Sequence, residues 1–487
     1  MAGQNSGRAI AREQGARTAL APLVPKSAIP DIAWPALLTG ARAQSLALQF
    51  QLRQTERWPA EKLAAWQFRQ LDNVLAHCHR TMPFWRARLD AAGVHPGVPL
   101  TAESWARIPV LRRAEAQAAG TALRCLSVPP AHGEVTKKFT SGSTGTPLEL
   151  VKTGLHMDFW HGFLLRELLW HGLDLRGKWA ALRRDPWDDA GPDQALEAAR
   201  GGPRKFANLG SPFAELFQTG PMSIFEIRRP AAEQAAWLLD EDPDVLTSFP
   251  SNLVSLAQYF RDTGARLPRL RAVRTASELV TPDLRALVRE VFGVEILDAY
   301  SAEEIGYLAL QCPQRNDEET VLHVMDEGVK LEVLDDADQP CVPGRIGRVV
   351  VTPLHNFAMP LLRYELGDFA ELGPPCPCGR GLAVLRGIRG RLRHGLRLPD
   401  GTTRAPYFGI FFYRVAAIRQ YQAAQVAPDM IELRLVVRRP LTAGEESSLA
   451  QLVRNDLGGQ FQVRFAYVDS IPHLPSGKYE EFRCELD

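Results

Sequence analysis

The chain has 487 residues, 45% of them hydrophobic and 23% charged, with 57 Lys and Arg against 56 Asp and Glu. That length exceeds what one hydrophobic core fills, so two or more domains are expected; the net charge of +1 provides no field to gather nucleic acid or an anionic membrane. No apolar run reaches the ~18 residues that span a bilayer, and seven cysteines are too few for a disulfide framework, which points to a reducing, cytoplasmic setting.

Residues 1–30 are polar and rich in Ala, Arg and Gly, without the apolar stretch of a secretory signal, and read as a disordered tail. Leu63, Trp66, Leu71, Val74, Leu75 and Cys78 share one side of a helix predicted over 60–78. Residues 134–151 turn β-branched and Gly-rich, two apolar helices follow at 159–169 and 231–239, and the Gly/Pro/Asp-rich stretch 184–203 between them reads as loop. From Val245 the rhythm is strand, helix, strand. Thr281-Pro282 opens a helix as cap and first-turn proline, with Leu284, Leu287, Val288 and Val291 on its buried face. Strands are predicted at 294–297, 329–334 and 347–351, and the alternation indicates an α/β fold with a largely parallel sheet. Beyond a boundary near Gly390, Ile431, Leu433, Leu435 and Val437 alternate. Leu449, Leu452 and Val453 mark a helix ended by Gly458-Gly459, and Phe461, Val463, Phe465 and Tyr467 alternate again, a small α+β unit.

The first chemical signal is Thr140-Ser141-Gly142-Ser143-Thr144-Gly145-Thr146-Pro147. Glycines let successive backbone N–H groups form a concave nest for phosphate oxygens, and hydroxyls add short donors to it. No Gly-Lys-Ser/Thr follows, so it is not a Walker A loop. With these residues the sequence resembles the adenylate-forming superfamily of acyl-CoA synthetases, adenylation domains and luciferases. Leu148-Glu149-Leu150 in place of the lysines that often follow the proline is similar to the phenylacetate–CoA ligase branch.

The resemblance demands further motifs in order, and they are present. Ala276-Ser277-Glu278 is similar to the segment lining the adenine site, and Ala299-Tyr300-Ser301-Ala302-Glu303-Glu304 to the family's Tyr-Gly-x-Thr/Ser-Glu. The resemblance implies that Tyr300 stacks on adenine and that Glu304 helps hold Mg²⁺ on the phosphates. Glu303 departs from the pattern, standing where a hydroxyl residue usually faces the phosphate; a second carboxylate there would repel the triphosphate or add a metal ligand. Arg363-Tyr364-Glu365-Leu366-Gly367-Asp368 resembles Arg-Tyr-x-Thr-Gly-Asp, whose aspartate accepts both ribose hydroxyls, a task suited to a two-oxygen acceptor. Gly390-Arg391-Leu392-Arg393 resembles the hinge, with Arg391 on the nucleotide. Pro472 through Gly477-Lys478 resembles the signature whose lysine bridges substrate carboxylate and α-phosphate, where charge builds during transfer.

Cys312, His323, Cys376 and Cys378 form a Cys₃His set suited to tetrahedral structural Zn²⁺, and some members of the resembled branch carry zinc at such an arrangement; Cys341 could compete as a ligand. The resemblance implies a large N-terminal α/β domain with mixed sheets (31–389) and a small mobile C-terminal α+β domain (390–487). It implies two-step chemistry with ATP and Mg²⁺, catalysed by Lys478 and Glu304: a small, aryl or arylacetic, carboxylic acid becomes an acyl-adenylate and passes to coenzyme A. A carrier-protein thiol or an amine as acceptor, or an inactive nucleotide-binding homologue, are the alternatives. The expected state is a monomer or homodimer. The acid is placed between Phe249-Pro250-Ser251-Asn252 and the 276–300 strand ends; Phe213, Phe217 and Phe225 are aromatic candidates for that pocket, with the core as their favoured place.

Overall fold

The computed structural model describes residues 23, 25–32, 34–139, 148–184, 202–275, 277–314, 320–391, 396–398, 403–404, 417–457, 461–472 and 479–486, with the backbone alone at 390–391, 403–404 and 456. Helices α1 (Gly40–Thr55), α2 (Ala60–Thr81), α3 (Pro83–Ala91), α4 (Ala102–Ala106) and α5 (Arg113–Ala119) come first. The hairpin β1 (Val135–Phe139) and β2 (Glu149–Thr153) follows and runs into α6 (Gly154–Trp170). Next come β3 (Trp179–Arg183), β4 (Arg204–Phe206), α7 (Phe213–Leu216), β5 (Met222–Glu226), α8 (Ala231–Glu241), β6 (Val245–Ser248), α9 (Pro250–Thr263), β7 (Ala272–Thr275), α10 (Pro282–Phe292) and β8 (Glu295–Ala302). Six strands then follow in series: β9 (Gly306–Gln311), β10 (Leu322–Val324), β11 (Val329–Leu334), β12 (Ile346–Pro353), β13 (Tyr364–Leu372) and β14 (Val384–Arg391).

Twelve of these strands form one mixed sheet, in the order β11-β12-β13-β14-β10-β9-β8-β7-β6-β3-β5-β4. The run β5-β3-β6-β7-β8 is parallel; β8 then pairs antiparallel with β9, so the sheet changes character at that strand. The sequence expectation of a largely parallel sheet therefore holds for one half only. The physical reason is connection length: β9 to β14 are joined without helices, and short joins bring strands back antiparallel.

Local chemistry explains the helices that carry this sheet. In α10 the Thr281 hydroxyl accepts from the Leu284 N–H, Pro282 needs no N–H partner, and Gly293 at φ +69 closes the end. Leu284, Val288 and Val291 are buried, the apolar face the spacing implies. Helix α1 was not anticipated. Its apolar positions are diluted by Gln and Arg, and only Leu52 is fully buried. The first helices lie over the antiparallel half. Trp85 Nε1 donates to the Pro360 carbonyl at 3.0 Å, Gln70 Nε2 to Leu354 at 3.0 Å, and the Leu111 N–H to Arg363 at 2.9 Å.

The C-terminal unit begins with a small hairpin, β15 (Leu396–Arg397) and β16 (Thr403–Arg404). Then come β17 (Ile418–Ala427), β18 (Met430–Val437), α11 (Ala443–Leu457), β19 (Gln462–Tyr467) and β20 (Phe482–Cys484), with the sheet order β19-β18-β17-β20. Ile431, Leu433 and Leu435 are buried while Val437 is half-buried and Tyr467 exposed, so the alternation fades at the strand ends. The core of this unit is continuous with α9 of the large unit. Gln258 Nε2 reaches the Ile418 carbonyl at 3.4 Å, and Arg438 pairs with Asp262. Among the described residues, no helix is long and apolar enough to cross a membrane.

Candidate active site

Thr140, Ser141, Gly142, Ser143, Thr144 and Gly145 lie outside the described residues, as do Lys478 and Ala276, and Arg391 is described in its backbone alone. The site is therefore built from what surrounds them. The hairpin closes on the 140–147 segment through the pair Phe139–Glu149, and the Arg391 backbone is in register with Asp368 on the β13–β14 ladder.

Strand β8 carries Ala299, buried, and then Tyr300, whose hydroxyl donates to Asp368 Oδ2 at 2.7 Å. Asp368 is 2% exposed and follows Gly367, which turns at φ +81 where a side chain would be strained. The chain thus brings a phenol and a carboxylate from motifs 68 residues apart into one hydrogen bond. Glu304 sits just past β8, largely buried, with Arg113 Nη1 3.4 Å from Oε1; the same guanidinium lies 3.3 Å from the Tyr364 hydroxyl. Arg363 is a scaffold residue. It is buried at φ +46, donates to the carbonyls of Ala106 and Ile108, and pairs with Glu332.

Glu303 has a partner that sequence reasoning missed. Lys152 Nζ, on β2, donates to Glu303 Oε1 at 2.7 Å, and Lys138 on β1 lies 4.0 Å from the same oxygen. Lys152 is 1% exposed and also lies 4.5 Å from the Trp160 ring centroid. Burial draws the Lys152 pKa down, and the Glu303 charge opposes that by favouring the ammonium. The second carboxylate, expected from the sequence to repel the triphosphate or add a metal ligand, is thus paired with a buried ammonium. The only available signal was a lysine on the strand that leaves the glycine loop.

Glu278 stands after Ser277, a non-glycine residue held at φ +75. Its Oε2 accepts from the Ser251 N–H at 2.9 Å and its Oε1 from the Tyr479 N–H at 3.0 Å. Ser251 is in the first turn of α9, where backbone donors lack intrahelical partners and a carboxylate is favoured. In the expected acid-binding segment, Asn252 is committed to the fold: its Nδ2 donates to Gln234 and Ser248. The buried Ser251 hydroxyl has no partner among the described residues. Phe213, Phe217 and Phe225 are buried in the core.

The four sequence-selected metal ligands converge. Cys312 follows β9, His323 is on β10, and Cys376 and Cys378 precede β14; their ligand atoms all lie within 4.8 Å of one another. Cys312 Sγ is 3.8 Å from Cys376 Sγ, and Cys378 Sγ is 3.3 Å from His323 Nε2. Burial lowers His323 to about 4, keeping the imidazole neutral as a ligand must be. Cys341 lies apart, beside the β12 backbone, and is no part of the cluster.

Residues 407–482 match the family model of the CapK C-terminal domain. The phenylacetate-coenzyme A ligase of Thermus thermophilus is 28% identical over 344 residues, 69% of this chain and 72% of its own. That of Escherichia coli is 23% identical over 320 residues, 64% of this chain and 68% of its own. Among solved structures, 2-hydroxyisobutyryl-CoA ligase in the postadenylation state with 2-HIB-AMP superposes with a TM-score of 0.68 at 18% identity, covering 89% of this chain and 92% of the other. The same ligase with 2-HIB-AMP and CoA in the thioesterification state gives 0.55 at 19% identity, over 89% and 92%.

Proposed function

We propose that this chain, a relative of the phenylacetate–coenzyme A ligases with the fold of the adenylate-forming acyl-CoA ligases, activates a small carboxylic acid with ATP and transfers the acyl group to coenzyme A. A carboxylate oxygen attacks the α-phosphorus and pyrophosphate leaves. The coenzyme A thiolate then attacks the acyl carbon of the mixed anhydride, and AMP leaves. No protein nucleophile is needed; positioning and charge stabilisation carry the rate. The observation behind this reading is that separated motifs meet in pairs. Tyr300 contacts Asp368, and Glu278 contacts the residue that follows Lys478.

In this reading Tyr300 and Ala299 flank the adenine, Asp368 takes the ribose hydroxyls, the 140–145 loop cradles the phosphates, Arg391 meets the nucleotide, and Lys478 stabilises the developing charge. Mg²⁺, when bound, offsets phosphate charge beside Glu304, and Arg113 holds that carboxylate in place. The kinship with phenylacetate–coenzyme A ligases favours an arylacetic acid and coenzyme A as acceptor. The Lys152–Glu303 pair supports an active enzyme over an inactive homologue, because it offsets the charge of the residue that departs from the motif. Cys312, His323, Cys376 and Cys378 fit a structural Zn²⁺: three thiolates and a neutral imidazole leave no open position for chemistry. Residues 390–487 act as the lid. Carboxylate-dependent exchange of pyrophosphate into ATP tests the first step, with phenylacetate first and then aryl and short-chain acids. Exchange with one acid class and CoA-dependent AMP release are expected; no exchange with any acid, despite ATP binding, would overturn the reading.

A further inference from the structure

We infer that Glu278 is a positioning residue that seats the lid for the first half-reaction by accepting the backbone N–H of Tyr479, the residue covalently next to Lys478; this rests on the function proposed above. Beyond the apolar core shared with α9, three polar contacts among the described residues join lid and large unit. Two are remote from the motifs: Arg438 with Asp262, and Gln258 with the Ile418 carbonyl. The third is Glu278 Oε1 with the Tyr479 N–H at 3.0 Å, across 201 residues of sequence.

Glu278 is suited to this by how it is held. The left-handed backbone at Ser277, φ +75, turns the chain, and the Ser251 N–H at the start of α9 fixes the other carboxylate oxygen. The acceptor is thus in place before the lid arrives. A hydrogen bond to a charged acceptor is roughly twice as strong as a neutral one. When the lid leaves, Tyr479 turns its N–H to water and Glu278 keeps the Ser251 N–H. Its own effect is directional: it favours the lid orientation in which Lys478 serves adenylation and contributes nothing to the other. The better superposition on the postadenylation structure than on the thioesterification one agrees with that orientation.

Residues around Tyr479 anchor the same segment inside the lid. The Tyr479 hydroxyl donates to the Tyr421 carbonyl, and the Ala423 N–H donates to the Glu481 carbonyl at 2.8 Å. The lid is therefore seated through a segment that is rigid with respect to its own sheet.

The test compares Glu278→Ala and Glu278→Gln with Asp262→Asn, which loosens a remote lid contact. Pyrophosphate exchange reads the first half-reaction; thioester formation from supplied phenylacetyl-adenylate and CoA reads the second. The Glu278 variants are expected to lose at least tenfold in kcat for exchange, while the second half-reaction holds its rate. Tyr479→Pro, which deletes the N–H, should reproduce the loss, whereas Tyr479→Ala, which keeps it, should lose much less. Amide hydrogen exchange over 479–484 should quicken in Glu278→Ala and not in Asp262→Asn, a readout independent of turnover. Unchanged protection of that peptide, or both half-reactions falling together, would overturn the inference. Wild-type protein silent in exchange with every acid would instead sink the proposed function.

Discussion

Lys152 is a buried cation paired with the Glu303 carboxylate. Replacing Glu303 by Thr, the residue type usual at that position, leaves this ammonium in the interior without its partner. Because Glu303 is itself 38% exposed, the pair is partly screened, and the loss should be about 1–3 kcal/mol, read from denaturant midpoints. Lys152→Met should fold nearly as well but leave the Glu303 carboxylate with Lys138, 4.0 Å away, in place of the buried ammonium, so that it repels triphosphate more and raises ATP KM about tenfold, an increase of roughly 1.4 kcal/mol in binding free energy. Combining Lys152→Met with Glu303→Thr should restore KM, since the two side chains act as one unit. Ser277 offers a cleaner backbone test. Ser277→Gly should change stability by less than ~0.5 kcal/mol, whereas Ser277→Val should lose about 1–3 kcal/mol by forcing a β-branched residue to φ +75. Tyr300, Asp368, Glu304 and Glu278 were nameable in the sequence because each sits in an ordered motif. Lys152 and Arg113 were not, because their roles exist only after β2 and α5 have packed beside β8.

At the level of elements, the cysteine–histidine cluster joins the end of β9, β10 and the turn before β14, and β10 lies between β9 and β14 in the sheet. A metal there would clip the end of the antiparallel half that adjoins the parallel strands. Arg380, two residues beyond Cys378, continues the clip into the helices: it stacks on Trp170 at 4.2 Å and pairs with Glu56 at 3.3 Å. Purified protein should hold about one zinc per chain. Chelation, or Cys378→Ser, should lower the melting temperature by roughly 5–10 °C while pyrophosphate exchange per folded molecule is retained. Metal analysis and calorimetry on the same preparation decide this. Helices α2, α6 and α10 were legible from spacing and caps. The antiparallel half was not, because β9 to β14 differ from parallel strands in their connections rather than in their residues.

Over the whole molecule, lid position should respond to pH. Glu481 lies on the docked lid segment, faced by Glu278 from the large unit and by Tyr421 and Tyr479 from the lid. Desolvation and then the Glu278 charge push its pKa up from 4.5 to about 7, with Tyr421 opposing. A raised carboxyl pKa means the docked state holds the proton more tightly than an undocked lid freed of Glu278. Docking is therefore unpenalised below the undocked value, weakens as pH rises from there through about 7, and stays weakened above. The ratio of adenylation to thioesterification rates should fall across that window in the wild type and stay flat in Glu481→Gln; equal profiles in both proteins would contradict this.

The bond from Trp85 Nε1 to the Pro360 carbonyl spans 275 residues, and the Gln70–Leu354 and Leu111–Arg363 bonds are comparably distant. A ribosome adding about 5–20 residues per second needs roughly 15–55 s to travel from one end of that first bond to the other. For that interval the apolar faces of α2 and α3 have emerged and the strands that cover them do not yet exist. The nascent chain must therefore wait with its earliest helices unburied, which makes this half of the protein the part whose yield should depend most on holdase chaperones and on growth temperature during expression.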